Sequence, residues 1–223
     1  MLAANDWLTI ALAKGRILPP TLELFTAAGI NCSPIESDTR KLIFRLETEK
    51  LQFILAKPTD IPTYVEYGVA DLGVVGKDIL WEQEKELYEL LDLKLGACRL
   101  SAAHKAGQTD FTRGGTVTYV ATKYPNIAKR HYLKKGRQVE IIKLHGSIEL
   151  APLLNLADVI VDLVSTGKTL RENNLVEAEV IARITARLVA NPGSYQVKAK
   201  RVMTLVQQLE KALQKRCGDD KNL

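Results

Sequence analysis

The chain has 223 residues, of which 46% are hydrophobic and 26% charged, and this ordinary globular composition excludes a fibrous or largely disordered protein. No apolar stretch approaches the roughly 20 residues of a membrane-spanning helix, and the first residues lack a signal-peptide pattern, so we expect a cytoplasmic protein that binds no membrane. The net charge of +5 comes from Lys and Arg scattered among Asp and Glu, which a small polyphosphate-bearing substrate explains at least as well as nucleic acid does.

Short apolar runs alternate with amphipathic stretches, beginning in the first part of the chain. Strands are predicted over Leu8 to Leu12, Leu51 to Ala56 and Leu72 to Val75. Helices are predicted over Ile17 to Ala28, ended by Gly29, and over Asp60 to Tyr67, ended by Gly68. We expect Asp60 to cap the second of these helices.

The second part of the chain repeats this alternation. Its predicted strands are Thr116 to Ala121, Val139 to Leu144 and Val159 to Val164, and its predicted helices are Pro125 to Lys135 and Ser147 to Leu154. The β-branched stretch Val180 to Val189 is expected to carry the chain back, and a final helix over Tyr195 to Lys215 to pack on the first lobe. The alternation predicts an α/β fold with largely parallel sheets.

Two segments of similar sequence predict two lobes of related build. Ala70 to Val75 and Ala157 to Asp162 each contain an Ala-Asp pair followed by a buried strand. We therefore expect a first lobe formed by residues 1–95 and 181–223, a second lobe formed by residues 96–180, and a ligand cleft between them.

The segment from Asp162 to Leu170 has the strongest local pattern. It follows a buried strand, opens a helix, and supplies the hydroxyls of Ser165, Thr166 and Thr169 beside Gly167. Unpaired backbone N–H groups and hydroxyls in such a turn form a phosphate cradle. Asp162, expected at the carboxyl end of its strand, is placed to accept hydrogen bonds from sugar hydroxyls.

This segment has two other interpretations. The Gly-Lys-Thr within it is not a P-loop, because that motif needs a glycine five positions before Gly167 and Asp162 stands there. A plain helix start with common capping residues remains open, and Asp162 would then be a turn or capping residue.

The strand that ends in an acidic residue and continues as Ser-Thr-Gly-x-Thr resembles the phosphoribosyl pyrophosphate loop of phosphoribosyltransferases. Three further blocks resemble one family, the ATP phosphoribosyltransferases in their short form. They are Ala11 to Ile17, Leu55 to Asp78 and Lys143 to Pro152. The resemblance extends from Leu8 to about Lys211, and the sequence ends at Leu223 without the regulatory domain of the long form.

The resemblance implies a glycosyltransferase that opens histidine biosynthesis by joining the phosphoribosyl group to N1 of ATP. It implies a two-lobed fold like the type II periplasmic binding proteins. It also implies a regulatory partner similar to histidyl-tRNA synthetase, in a hetero-octamer. Mg²⁺ is expected to be held mainly by substrate phosphates, with no metal site built by the protein. The scattered cysteines Cys32, Cys98 and Cys217 match neither a zinc site nor a disulfide framework.

The resemblance to this family also implies the site residues. Arg40, Lys57 and Asp162 are the expected catalytic residues, with the first two holding pyrophosphate, although some relatives carry Arg in place of Lys57. The phosphoribosyl group is expected to contact Glu149, Asp162, Ser165, Thr166, Gly167, Lys168 and Thr169, and ATP to contact Lys14, Gly15, Arg16, Asp71 and Gly73. Glu149 fits a contact with the ribose or a favourable interaction with the helix dipole equally well. Lys168 departs from the small or polar residue of many relatives.

Two rival functions remain at this point. A small-ligand-binding protein of the same fold is opposed by the phosphate cradle. A phosphoribosyltransferase that uses a free base is opposed by the Lys-Gly-Arg sequence at Lys14 to Arg16 and by the Lys-Pro-Thr-Asp-Ile-Pro sequence that starts at Lys57.

Overall fold

A computed structural model describes residues 7–36, 40–108 and 117–219 of the chain. The strands are β1 (Leu8–Ala13), β2 (Ile43–Leu46), β3 (Leu51–Ala56), β4 (Leu72–Gly76), β5 (Tyr88–Asp92), β6 (Cys98–Lys105), β7 (Thr118–Thr122), β8 (Val139–Lys143), β9 (Val159–Val164), β10 (Leu175–Ile184) and β11 (Ala186–Ala190). The helices are α1 (Leu18–Ala27), α2 (Ser33–Glu36), α3 (Ile61–Glu66), α4 (Lys77–Gln83), α5 (Pro125–Lys134), α6 (Leu150–Leu153), α7 (Lys168–Glu172), α8 (Pro192–Val197) and α9 (Ala199–Asp219), and a 3-10 turn covers Pro58–Asp60.

The described residues form two compact units. The first unit takes its residues from Met1–Leu80, Glu84–Gly96 and Thr185–Leu223, and the second from Trp81–Gln83 and Ala97–Ile184. The division expected from the sequence, 1–95 with 181–223 against 96–180, differs from this at three places, the first being Gly96, which belongs to the first unit. Residues 181–184 belong to the second unit because β10 continues to Ile184 and stays paired with β6. Residues 81–83, the end of α4, also belong to the second unit.

The first unit is built on a six-stranded sheet in the order β2-β3-β1-β4-β11-β5. Strands β3, β1 and β4 are parallel, whereas β2 runs antiparallel to β3 and β11 runs antiparallel to both β4 and β5. Alternate residues of β1 enter two different cores: Ile10 and Leu12 lie in one, Ala11 and Ala13 in the other. A strand buried on both faces has a nearly continuous apolar sequence, as β1 does.

The second unit is built on a five-stranded sheet in the order β10-β6-β9-β7-β8. Strands β9, β7 and β8 are parallel, and β6 runs antiparallel to β9 and β10. The expectation of largely parallel sheets is therefore wrong for both units. Parallel pairing is confined to the strands joined by helical crossovers, and the strands that return the chain run antiparallel to their neighbours.

The two Ala-Asp segments occupy equivalent places in the two sheets. Asp71 precedes β4; its N–H donates to the Thr9 carbonyl, and its carboxylate accepts the Thr9 N–H, both at 2.8 Å. Asp158 precedes β9 and makes the same pair of hydrogen bonds with Tyr119 of β7, both at 2.9 Å. Each aspartate thus closes the amino end of a parallel strand pair with a backbone and a side-chain bond.

Several predicted boundaries need correction. Asp60 makes no side-chain capping bond to α3, because the preceding 3-10 turn gives it helical dihedral angles in place of the extended ones that capping requires. The helix expected from Ser147 is confined to α6, since Ser147 has a left-handed φ of 48°. Val180 to Val189 is divided between β10 and β11. The final helix is two helices, α8 and α9, separated at Lys198. The predicted strand start at Thr116 lies outside the described residues.

Candidate active site

The predicted phosphate loop follows β9 directly and leads into α7. Ser165, Thr166, Lys168 and Thr169 are exposed, and Gly167 is half-buried. Gly167 has a φ of 72°, in the left-handed region that glycine adopts without strain. Lys168 donates its N–H to the Thr166 hydroxyl at 3.3 Å. The loop therefore presents a row of hydroxyls and a cationic side chain to solvent, as a phosphate site requires.

Two arginines outside the predicted set hold this loop from the protein side. Arg99 of β6 donates to the Ser165 carbonyl at 2.8 Å, and Arg171 of α7 donates to the Thr166 carbonyl at 3.1 Å. Arg171 lies only five residues after Thr166, so its closeness in sequence is a signal that could have pointed to this contact. Arg99 lies far from the loop in sequence, and only the pairing of β6 with β9 reveals its position.

Asp162 is the fourth residue of β9, which continues for two more residues, so its predicted place at the strand end is wrong by that distance. The residue directly opposite it on β6 is Ser101. Asp162 shares the sheet face of its strand neighbours Ile160 and Val164, and one of its oxygens accepts the Leu163 N–H at 2.9 Å. It is half-buried and lies three residues before Ser165, whose carbonyl accepts the hydrogen bond from Arg99.

Glu149 occupies the residue before α6 and makes no side-chain capping bond to that helix. Its neighbours Ile148 and Ala151 pack in the core cluster that also contains Ile160 and Val164. The sheet face that carries Asp162 therefore also supports the turn that carries Glu149, and both half-buried carboxylates belong to the second unit.

A second group of predicted site residues lies at one edge of the first sheet. Lys14, Gly15 and Arg16 follow β1, Lys57 follows β3, and all four are exposed. The two strands are in parallel register, and the Lys14 N–H donates to the Ala56 carbonyl at 2.8 Å. Gly15 turns the chain with a φ of 100°. Three cations thus follow the carboxyl ends of adjacent parallel strands, where ligands of α/β proteins bind.

Arg40 joins this group through the antiparallel strand β2. The Leu42 carbonyl accepts the Leu55 N–H at 2.8 Å, so the chain before β2 lies beside the end of β3. Arg40 is exposed. Its sequence neighbours Asp38 and Thr39 lie outside the described residues.

Asp71 and Gly73 are not brought to this edge. Asp71 precedes β4, at the amino end of β1 and β4, whereas Lys14 follows the carboxyl end of β1. Asp71 is buried and accepts hydrogen bonds from Lys198 Nζ as well as from Thr9. A Cβ at Gly73 would lie 2.7 Å from a Val65 methyl, so this glycine allows α3 to pack closely on β4. The structure gives both residues a role in packing.

Among the side chains that the structure describes, no group of three or more His, Cys, Asp or Glu is arranged to hold a metal ion. Cys32 is buried and Cys98 half-buried, and these two described cysteines are not in a disulfide; the side chain of Cys217 lies outside the described part. No helix in the described ranges combines the length and apolar character needed to cross a membrane.

Comparison with known proteins identifies the family. A family model described as ATP phosphoribosyltransferase matches residues 57–211. The protein named ATP phosphoribosyltransferase 2 from Geobacter sulfurreducens is 54% identical over 209 residues, which are 93% of this chain and 99% of that protein. The ATP phosphoribosyltransferase from Syntrophotalea carbinolica is 51% identical over 218 residues, covering 97% of this chain and all of that protein.

Comparison with solved structures supports the same family and also identifies the fold. The ATP phosphoribosyl transferase (HisG:HisZ) complex from Thermotoga maritima contains a chain that is 32% identical, with a TM-score of 0.79 and coverage of 93% of this chain and 98% of that one. The periplasmic aliphatic sulphonate binding protein SsuA from Escherichia coli has a TM-score of 0.61 at 11% identity, over 97% of this chain and 71% of that one. At that identity the likeness concerns the fold alone, and it confirms the predicted two-lobed, binding-protein-like α/β architecture. The chain belongs to the ATP phosphoribosyltransferase family.

Proposed function

We propose that this chain transfers the 5-phosphoribosyl group of phosphoribosyl pyrophosphate to N1 of ATP, giving phosphoribosyl-ATP and pyrophosphate, the first step of histidine biosynthesis. The observation that carries the proposal is the exposed loop after β9, with Asp162 on the strand that leads into it, in a chain of this family. In the transfer, a bond forms between N1 of the adenine and C1′ of the ribose, and the bond from C1′ to the pyrophosphate oxygen breaks.

The second unit supplies the residues proposed to bind the phosphoribosyl group. Ser165, Thr166 and Thr169 donate hydroxyl hydrogen bonds to the 5′-phosphate, and the left-handed turn at Gly167 leaves room for it. Lys168 adds positive charge to the same site. Asp162 and Glu149 accept hydrogen bonds from ribose hydroxyls, which fixes the orientation of C1′.

The first unit supplies the residues proposed to bind polyphosphate. Lys14 and Arg16 hold the triphosphate of ATP, while Arg40 and Lys57 hold the pyrophosphate of the donor and stabilise the charge that develops as it leaves. All four side chains are exposed at one edge of the first sheet, where phosphates can reach them. Lys57 supplies charge without the two-pronged contact of an arginine, so we assign it the smaller share of this stabilisation.

We propose that Mg²⁺ accompanies the substrates and neutralises phosphate charge when bound. The described residues fit a metal carried by substrate phosphates, because their carboxylates are not clustered as a protein metal site would need. Of the described carboxylates at the proposed site, Asp162 is the one closest to the phosphate loop in the chain and so the one placed to meet a substrate-bound ion.

We also propose a regulatory partner similar to histidyl-tRNA synthetase, with four copies of each chain in the assembly. The related Thermotoga maritima chain was solved in a HisG:HisZ complex, and this chain covers 98% of its length. A cytoplasmic location follows from the proposed substrates, which are phosphorylated metabolites made inside the cell.

The test is pyrophosphate release by the purified chain with ATP, phosphoribosyl pyrophosphate and Mg²⁺, together with the ultraviolet spectrum of the nucleotide product. We expect release that requires both substrates and a new adenine spectrum. Release with adenine or orotate in place of ATP would instead identify a free-base enzyme. Absence of release both alone and with an added histidyl-tRNA-synthetase-like subunit would refute the proposal.

A further inference from the structure

Arg99, Glu177 and Ser101 form a hydrogen-bonded group on β6 and β10, beside the phosphate loop. Arg99 Nε and Nη2 donate to the two carboxylate oxygens of Glu177, each at 2.5 Å. The Ser101 hydroxyl donates to the same carboxylate at 2.6 Å. The guanidinium plane is therefore fixed by a two-pronged contact, the geometry that makes arginine–carboxylate pairs directional.

The third nitrogen of this guanidinium reaches the loop. Arg99 Nη1 donates to the Ser165 carbonyl at 2.8 Å, and a Cβ built on Gly167 would lie 3.8 Å from Arg99 Nη2. Because every nitrogen of Arg99 donates to a protein oxygen, the side chain acts as a brace between β10 and the loop.

Arg99 and Glu177 each stabilise the charged form of the other. The hydrogen bond from Arg99 is the main reason why the pKa of Glu177 lies below its usual value, and it outweighs the opposing effect of burial. The same hydrogen bond raises the pKa of Arg99. Both shifts favour the charged forms of the two side chains, so the contact between them is one of opposite charges.

We propose that Arg99 and Glu177 are positioning residues for phosphoribosyl binding: the pair holds the Ser165 carbonyl so that the loop keeps its donors directed at the 5′-phosphate. This inference rests on the proposed function of the loop. The brace acts through the backbone of Ser165, and Glu177 repels a phosphate, so neither residue is assigned a contact with substrate. Arg171, which donates to the Thr166 carbonyl, supports the next residue of the loop in the same way.

The substitution Arg99→Lys tests the brace because it keeps the positive charge but removes the several N–H donors that the guanidinium holds in one plane. A lysine makes a point contact and cannot span both oxygens of Glu177 and the Ser165 carbonyl together. Glu177→Gln is the second variant: it leaves Arg99 in place and removes the carboxylate that fixes its plane. Arg45→Lys is the matched control, since Arg45 also lies on a strand and donates from Nε to Gln52 at 3.0 Å, but belongs to the first unit.

The measurement is the dissociation constant of ribose 5-phosphate by calorimetry, alongside KM for each substrate. We expect Arg99→Lys and Glu177→Gln to bind ribose 5-phosphate roughly tenfold more weakly or worse, because small displacements of positioning groups carry costs of this order. KM for ATP and the affinity of Arg45→Lys should stay at wild-type values. The double variant should lose little more than either single one, since both remove the same brace.

The outcomes separate the two proposals. Wild-type affinity for ribose 5-phosphate in both variants would overturn the brace and leave the enzymatic function standing. Tight binding by the wild type, weakened in the variants, with no turnover of ATP either alone or with an added histidyl-tRNA-synthetase-like subunit, would support the brace and refute the proposed reaction. Equal weakening of ribose 5-phosphate and ATP would mean general misfolding of the variants, and would likewise overturn a specific positioning role.

Discussion

Lys198 Nζ lies 2.8 Å from Asp71 Oδ2 and 2.9 Å from Oδ1, and it also donates to the Trp7 carbonyl at 2.8 Å. The pair joins the start of α9 to the amino end of β4 and is largely buried, with the Asp71 side chain 8% exposed. A buried carboxylate that loses its cation is left uncompensated. The expected role of Asp71 in ATP binding is therefore replaced by one in holding α9 on the first sheet.

We predict that Lys198→Met lowers the free energy of unfolding by about 3 kcal/mol, at the lower end for a broken buried pair because Lys198 keeps some solvent contact. KM for both substrates should not change. Chemical denaturation and steady-state kinetics measure the two quantities. Lys200→Met, an exposed lysine two residues further along, is the control and should be neutral. A raised KM for ATP with unchanged stability would restore the binding role of Asp71.

Gly167 and Gly136 offer a matched pair for the phosphate loop. Both have left-handed φ angles, 72° and 66°, so alanine at either position should cost about 1 kcal/mol of backbone strain. We predict that Gly167→Ala also raises KM for phosphoribosyl pyrophosphate at least several-fold, because its Cβ would lie 3.2 Å from Arg171 Nη1, inside the loop. A Cβ at Gly136 meets nothing within 4 Å. Equal KM values in the two variants would contradict a phosphate role for the loop.

Asp162 and Asp158 lie on or beside the same strand but should respond differently to the same substitution. Asp162→Asn is predicted to lower kcat by roughly tenfold to a hundredfold with little loss of fold, because it weakens an acceptor for the ribose. Asp158→Asn should instead cost about 1–2 kcal/mol of stability, because Asp158 is buried and accepts the Tyr119 N–H. Kinetics and thermal unfolding of both variants measure these effects. Wild-type kcat in Asp162→Asn would exclude the ribose role.

The buried phenol of Tyr132 gives a prediction at alkaline pH. Burial, with a smaller effect from the Glu179 charge, raises the pKa of Tyr132 to about 12. The folded state therefore retains the phenolic proton after the unfolded state, with a pKa near 10, has lost it. The contribution to stability is complete below pH 10 and declines by about 1.4 kcal/mol per pH unit between 10 and 12.

Tyr132→Phe removes this titration without removing the ring. The difference in unfolding free energy between wild type and variant should therefore stay constant up to pH 10 and shift in favour of the variant above it. Denaturation curves collected between pH 8 and 11.5 measure the difference. Parallel pH profiles of the two proteins would show that Tyr132 is accessible to solvent.

Much of the candidate site in the second unit can be predicted from the sequence, because its residues follow one another in the chain. Ser165 to Thr169 combine hydroxyls, a glycine and a preceding buried strand within a few positions, and the structure exposes all of them except Gly167 where β9 ends. Lys14 and Lys57 follow two strands whose apolar sequences mark them clearly. Parallel register then places both lysines at one edge.

Residues joined only by antiparallel pairing escaped prediction. Arg99 and Glu177 lie on β6 and β10, which were not predicted as strands and which contact each other across a long sequence separation. Asp71 was misplaced because a local pattern does not tell which end of a strand faces a ligand. The expected ligand cleft between the lobes stays a prediction.

The strand order of the first sheet has a consequence for how the chain is made. β5 lies at the sheet edge beside β11, and the strands of the second unit, β6 to β10, come between the two in sequence. During translation, β5 is synthesised before its pairing partner β11, and the five strands of the second unit are synthesised between the two. The second unit has all of its strands as soon as Ile184 has been translated. A nascent chain halted there would carry a finished second sheet and a first sheet still lacking the strand between β4 and β5. The first sheet can therefore be completed only after β11, which lies near the end of the chain, has been translated.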